Sequence, residues 1–265
     1  MFRNDEPLDY DLYDNGSPFG EPEPHVWHFS GWLVFAESMP YMRGVKRAFI
    51  GWTITMIVLL FFPIIVVFIG ESIELDSLGP WVTDQQAQQV FDKYSDLADT
   101  VLAITVLVLA PFLTSVATGL ALRRLVSGPV RFRDGLQFLP YGFKVLPLFV
   151  LWVAAFMLLS KLSNGGVAAV VLSAVGMANF FVVPLIIDQD MGVVPAMRAS
   201  VGSVLQHGKG AAGFFILMLL ISFATIMTLG ALWFLMFPLL ALAHTYAYWG
   251  VFGIHKTYRR RNVLA

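Results

Sequence analysis

The sequence predicts an all-α integral membrane fold of six transmembrane helices, with cytoplasmic interfacial amphipathic helices beside them. Three observations carry that expectation. The chain is 57% hydrophobic and 13% charged over 265 residues, whereas a soluble domain carries about 25% charged residues. Several apolar runs reach the roughly 18–20 residues that a helix needs to cross a bilayer core of about 30 Å. Once six crossings are drawn, fifteen of the seventeen Lys and Arg fall on one side. The chain has no cysteine, which excludes disulfides, thiolate metal sites and a cysteine nucleophile.

Residues 1–28 are rich in Asp, Glu, Pro and Gly. They bury too little apolar surface to offset the entropy of ordering, so they read as a disordered acidic cytoplasmic tail, or as a short peptide motif for a partner. No basic-then-apolar leader opens the chain, so no cleavable signal peptide is expected. In FSGWLVFAESM (29–39), Trp32, Phe35 and Met39 fall near helical spacing ahead of Pro40. That pattern suits a helix lying flat at headgroup level. Six spans are expected in the membrane domain 29–255: about 48–70, 100–122, 145–160, 167–187, 211–229 and 231–254. The last two share one apolar run of about 44 residues, twice what one crossing needs, and Gly230 is its expected hinge. A basic cytoplasmic tail, 256–265, follows.

Even-numbered crossings put both termini on one side, and the Lys/Arg bias makes that side cytoplasmic. Only Lys93 and Lys161 then face outward. Trp27, Trp32, Trp81 and Trp249 are the expected interfacial anchors, because indole rings favour the headgroup level. The one long external loop, 71–99, is acidic, with Lys93 its single cation. Within it, 84–97 reads as a helix capped by Asp84, with Val90, Tyr94 and Leu97 facing the bundle or the lipid. Its carboxylates read as a solvated face, or as a patch that attracts cations. Amphipathic stretches precede each odd-numbered span, at 29–47, 131–144 and 193–209. In the third, Val194, Met197, Val201, Val204 and Leu205 form one apolar stripe. The layout reads as three copies of a surface helix followed by a helical hairpin, without a fixed period.

The joint IIDQDMGVVPAMRAS (186–200) separates two apolar segments. Asp188 and Asp190 end the first, and Gly192 frees the backbone. Pro195 suits a helix start, where its missing N–H is not needed, and Asp190 is placed to cap that helix. Arg198 and Ser200 complete the boundary motif. The plain reading is a structural turn at the membrane surface; the sharper one is an ion or catalytic site. Asn179 in span 4 and His244 in span 6 are the intramembrane polar candidates. They read as a hydrogen-bonded link between helices, or as the lining of a substrate path or proton relay. Pro63, Pro111, Pro147, Pro184 and Pro238 place a proline in five of the six spans, where prolines kink helices and free carbonyls.

VVPLIIDQDMGVVPAMRASVGSVL (182–205) resembles the signature of a group of six-span bacterial inner-membrane proteins. In that group a span ends in Pro, apolar residues and Asp, and an Ala-x-x-x-Ser-type amphipathic helix follows. FPLLALAHTYAY (237–248) is similar to the group's Pro-led final span, and GWLVFAESMP (31–40) matches more loosely. The group is distantly similar to the membrane domain attached to some glycerophosphodiester phosphodiesterases. Where members often carry Arg after the final Tyr, this chain has Trp249. The resemblance implies a six-helix bundle with cytoplasmic termini in the bacterial inner (plasma) membrane. It brings no reaction, because the phosphodiesterase chemistry belongs to a separate soluble domain.

The sequence contains no P-loop, no dinucleotide-binding turn and no H-E-x-x-H. Of five histidines only His244 lies well inside a span, and one histidine cannot supply the convergent ligands of a haem or copper site. No catalytic residue, metal or cofactor is expected. The basic RRLVSGPVRFR and HKTYRRR stretches suit anionic headgroups and positive-inside topology, so nucleic acid is not an expected partner. The expectation is a non-enzymatic membrane protein acting as an accessory, scaffold or assembly partner of a membrane complex or of envelope maintenance. Its partners are the lipid bilayer and a membrane protein or a second copy. The alternative is a small transporter or lipid-interacting permease that uses the bundle centre; an intramembrane enzyme around His244 and Asn179 is a third, remoter class.

Overall fold

The computed structural model describes residues 31–43, 45–79, 82–127, 129–162, 165–227 and 233–254. These residues form helices and no strands. The helices are α1 (Gly31–Ser38), α2 (Lys46–Ser77), α3 (Asp84–Ser127), α4 (Leu139–Leu162), α5 (Gly165–Ala178), α6 (Val182–Gln189), α7 (Val193–Gln206), α8 (Gly208–Met227) and α9 (Trp233–Phe252). Short 3-10 segments, Met39–Met42 and Phe132–Phe138, follow α1 and precede α4. Four stretches are long and apolar enough to cross a membrane: Lys46–Ser77, Asp84–Val126, Phe132–Leu159 and Val171–Gln189. A fifth is available if α7 and α8, bent by 105°, count as one span. The expected tails, the Gly230 hinge, Trp27 and Trp81 lie outside the described residues, as does the side chain of Trp32.

Several boundaries differ from the expectation. α2 runs on to Ser77 and α4 starts at Leu139. Residues 84–97 are not a separate helix. They run without a break into the second apolar segment, giving α3 its 44 residues and a length of about 66 Å at 1.5 Å per residue. Nothing between Leu97 and Thr100 breaks a helix, so the acids there mark a change of solvent only. The fourth segment is interrupted at 179–181, between α5 and α6.

Hydroxyls inside the apolar helices are satisfied locally. Thr53 donates to the Phe49 carbonyl at 2.8 Å, Ser115 to Pro111 at 2.7 Å and Thr245 to Ala241 at 2.8 Å, the i−4 pattern that removes a lone donor from an apolar medium. α9 ends at Gly253, whose φ of 70° suits a residue without Cβ.

The core gathers at one end of the bundle. It combines the starts of α2 (Phe49, Trp52), α4 (Val145) and α8 (Phe214) with the end of α3 (Leu120, Leu122), α6, and α9 from Leu239 to Trp249. Trp52 Nε1 donates to the Phe132 carbonyl at 2.9 Å, and the two rings stack with centroids 4.9 Å apart. Arg124 Nε donates to the Tyr41 carbonyl at 2.9 Å. α1 packs Phe35 on Phe214 of α8, with centroids 5.5 Å apart, while Tyr41 just after it meets Tyr246 of α9. Toward the other end α2, α3, α4 and α8 leave large side chains exposed, among them Phe62, Ile104, Leu158 and Leu220. Burial in water would have to hide such faces; a lipid solvent does not require it.

α2 and α3 stay paired beyond their apolar stretches. Glu74 accepts from Lys93 Nζ at 2.6 Å and from Tyr94 Oη at 2.9 Å, and these donors hold its carboxyl below the usual range. Val90 is buried and Tyr94 half-buried, while Leu97 stays exposed.

Gly119 of α3 lets Phe138 approach so closely that a Cβ would lie 2.2 Å from its ring. Phe138 is fully enclosed and has nowhere to move. Gly119→Ala should therefore lower stability by about 1–3 kcal/mol, as overpacking does, measured by unfolding in mild detergent. Gly202→Ala is the control: its Cβ would meet nothing within 4 Å, so this helix-interior change should be neutral or stabilise by up to about 1 kcal/mol.

Candidate functional site

The polar candidates converge on the break between α5 and α6, and Pro184 is its local cause. Proline has no N–H, and its ring clashes with the carbonyl four residues back, here that of Phe180. The chain tightens before it. Phe180 N donates to the Met177 carbonyl at 3.2 Å and Val182 N to the Asn179 carbonyl at 3.1 Å, both three residues back. Three backbone groups lose their helical partners as a result: the Phe181 N–H and the Ala178 and Phe180 carbonyls. In an apolar environment each would cost several kcal/mol if left unpaired.

Two distant residues satisfy all three. Ser200 of α7 accepts from Phe181 N at 3.0 Å and donates its hydroxyl to the Ala178 carbonyl at 2.8 Å. His244 of α9 places Nε2 at 2.6 Å from the Phe180 carbonyl. A carbonyl only accepts, so this bond puts the proton on Nε2. The imidazole lies edge-on to Phe180, with centroids 4.2 Å apart, and parallel to Phe181 at 6.3 Å. His244 thus bonds the backbone next to Asn179 and makes no bond to the Asn179 amide. Asn179 Nδ2 donates back to the Val175 carbonyl at 2.8 Å, and its Oδ1 is buried without a partner.

One turn along α9 from His244, Tyr248 repeats the pattern at the end of α6. Its hydroxyl donates to Asp188 Oδ2 at 2.6 Å and accepts from Gln189 Nε2 at 3.3 Å. Asp188 is only 4% exposed, so a carboxylate there needs donors of this kind. Tyr248 was not among the residues expected from sequence. Its i, i+4 spacing from His244, which puts both on one helix face, was the available signal.

Asp190 does not cap α7. It ends α6 instead, in the left-handed conformation with φ 57°, which Asp tolerates better than most residues. Its Oδ1 accepts from Lys144 Nζ at 2.5 Å. Gly192 is the N-cap of α7 and offers no side chain for capping; Pro195 is the third residue of that helix. Trp249, expected as an interfacial anchor, packs inside against Tyr246. The apolar stripe expected on α7 is split: Val204 is buried and Met197 packs against the core, while the ends of the stripe face outward. Ala196, Ser200, Ser203 and Val204 are buried, while Val194 and Leu205 are exposed. The small and hydroxyl side chains face the protein because α7 approaches closely and supplies hydrogen bonds. Arg198 is exposed.

The two stretches 182–205 and 237–248 are therefore in contact through Tyr248–Asp188, and His244 of the second bonds Phe180, two residues before the first. No group of three or more metal-ligating side chains occurs among the described residues. No protein-family model, no curated protein and no solved structure matches the chain.

If Ser200 closes the break, Ser200→Ala leaves two buried backbone groups unpaired, at about 1–3 kcal/mol each. The neighbouring Ser203 hydroxyl makes no hydrogen bond, so Ser203→Ala should cost almost nothing. Equal losses for the two variants, measured by unfolding in the same detergent, would contradict the assignment.

Proposed function

We propose that the protein is a non-enzymatic, multi-pass protein of the bacterial inner membrane that serves as an accessory, scaffold or assembly partner of a membrane complex. In this reading α2, α3, α4, α5–α6, α8 and α9 are the six crossings. The packed end, with Arg123, Arg124, Arg131, Arg133 and Lys144, is cytoplasmic, and both termini lie on that side by the positive-inside bias.

One observation carries the functional part. Most of the polar groups that a transport path or active site would need are spent on the fold: Ser200 and His244 on the broken helix, Tyr248 on Asp188, Lys144 on Asp190; Asn179 Oδ1 and the Ser203 hydroxyl stay buried without partners. The extended surface that remains available is lateral, the exposed apolar faces of α2, α4 and α8. The second reading, a small transporter or lipid-interacting permease, is favoured by the interrupted α5–α6 span, because discontinuous helices frame binding sites in many transporters.

Photo-crosslinking side chains at Phe62, Leu158 and Leu220, irradiated in native membranes, separate the two. The scaffold reading expects a discrete protein adduct at one of these positions. Lipid adducts alone at all three would overturn it in favour of the permease. The cysteine-free chain also makes the topology directly testable. Gln86→Cys should react with an impermeant maleimide from the outer face, and Gln206→Cys only after the membrane is opened; the reverse order would invert the orientation.

A further inference from the structure

The outward face of α7 combines two features that neither the core nor the helix break uses. Leu205 is 78% exposed and Val194 is 58% exposed. They lie eleven residues apart on one stripe, about 16 Å along the helix, with Arg198 between them. Arg198 is exposed and has no ion pair among the described residues, and the same holds for Lys209 just beyond the bend. Lys144, by contrast, is neutralised by Asp190. α7 also meets α8 at 105°, within about 15° of a right angle. A helix so placed beside a crossing helix runs close to the membrane surface.

We propose that this face of α7 binds anionic phospholipid of the cytoplasmic leaflet. Val194 and Leu205 lie against acyl chains, and Arg198 and Lys209 engage the phosphates. The chemistry selects this occupant. An apolar stripe fits an acyl chain, and two cations without carboxylate partners fit a negative headgroup. A second copy docked symmetrically through the same face would bring like cations together. The inference rests on the membrane reading of α8 given above.

The test uses full-length protein reconstituted in phosphatidylcholine vesicles. One sample carries a fluorophore on Leu205→Cys, and a control carries it on Leu220→Cys of α8. Nitroxide-labelled phosphatidylglycerol or phosphatidylcholine is then added at equal mole fraction. The proposal expects lipid quenching at both positions. At 205 the glycerol lipid should be enriched over the choline lipid by roughly fivefold per cation, the factor that about 1 kcal/mol represents. Arg198→Gln with Lys209→Gln should bring that ratio to one, whereas Arg198→Lys should keep it. Equal quenching by the two lipids in the unsubstituted background would overturn the proposal. So would quenching of 205 by aqueous iodide in place of lipid, or shielding of 205 from both, which would mean a protein contact. If position 220 also escapes lipid, the membrane reading itself fails; if 220 is quenched and 205 is not, only the α7 site fails.

Discussion

A backbone carbonyl released inside an apolar helix must find a donor, and the junction of α6, α7 and α9 is built around one such carbonyl. Pro184 cannot donate to Phe180, and its ring pushes that carbonyl aside. The donor that replaces it comes from His244, 64 residues further along the chain. The same face of α9 reaches the end of α6 with one side chain, where Tyr248 meets Asp188. α7 must fold back so that Ser200 reaches the Phe181 amide and the Ala178 carbonyl. A kink that would be a liability alone becomes the point where three helices are held in register. Hydrogen bonds between membrane helices average only about 0.6 kcal/mol when the alternative is another partner. Here the alternative is an unpaired buried group, and so the bonds specify the arrangement more than they add to its stability.

This view also explains why the polar residues need not be catalytic. Ionisable groups in apolar segments invite functional readings, and Asp188, Asp190 and His244 were open to one. Their partners are fixed protein groups: a tyrosine hydroxyl, a lysine and a backbone carbonyl. The Asp188 and His244 bonds offset a desolvation cost that the fold itself creates, whereas Asp190 and Lys144 pair at the surface. The side of the molecule left open is its lateral surface, where apolar side chains on α2, α4 and α8 face outward.

The helical class and the apolar segments were readable because membrane helices advertise themselves through length and composition. Helix ends were less so. Asp96 and Asp99 showed where the apolar stretch stops, but α3 continues through them to Asp84, since hydropathy reports the solvent and helix termination needs a breaker or cap. Pro184 was visible in the sequence, yet its consequence depends on His244 and Ser200, which no local pattern connects to it. The residues Val194, Met197, Val201, Val204 and Leu205 were read as one apolar stripe of a surface helix. Against neighbouring helices, Ala196, Ser200 and Ser203 turn inward together with Val204 of that stripe, and Val194 and Leu205 turn out.

A double-mutant cycle between Pro184→Ala and His244→Leu tests the central claim most directly, with unfolding free energies measured in one detergent. With Pro184 present, His244→Leu strands the Phe180 carbonyl and should cost about 1–3 kcal/mol. With Ala at 184, a backbone N–H returns to serve that carbonyl, and the cost of losing His244 should fall by more than about 1 kcal/mol. Costs that simply add, within about 0.5 kcal/mol as for independent sites, would contradict the account and leave His244 with another role.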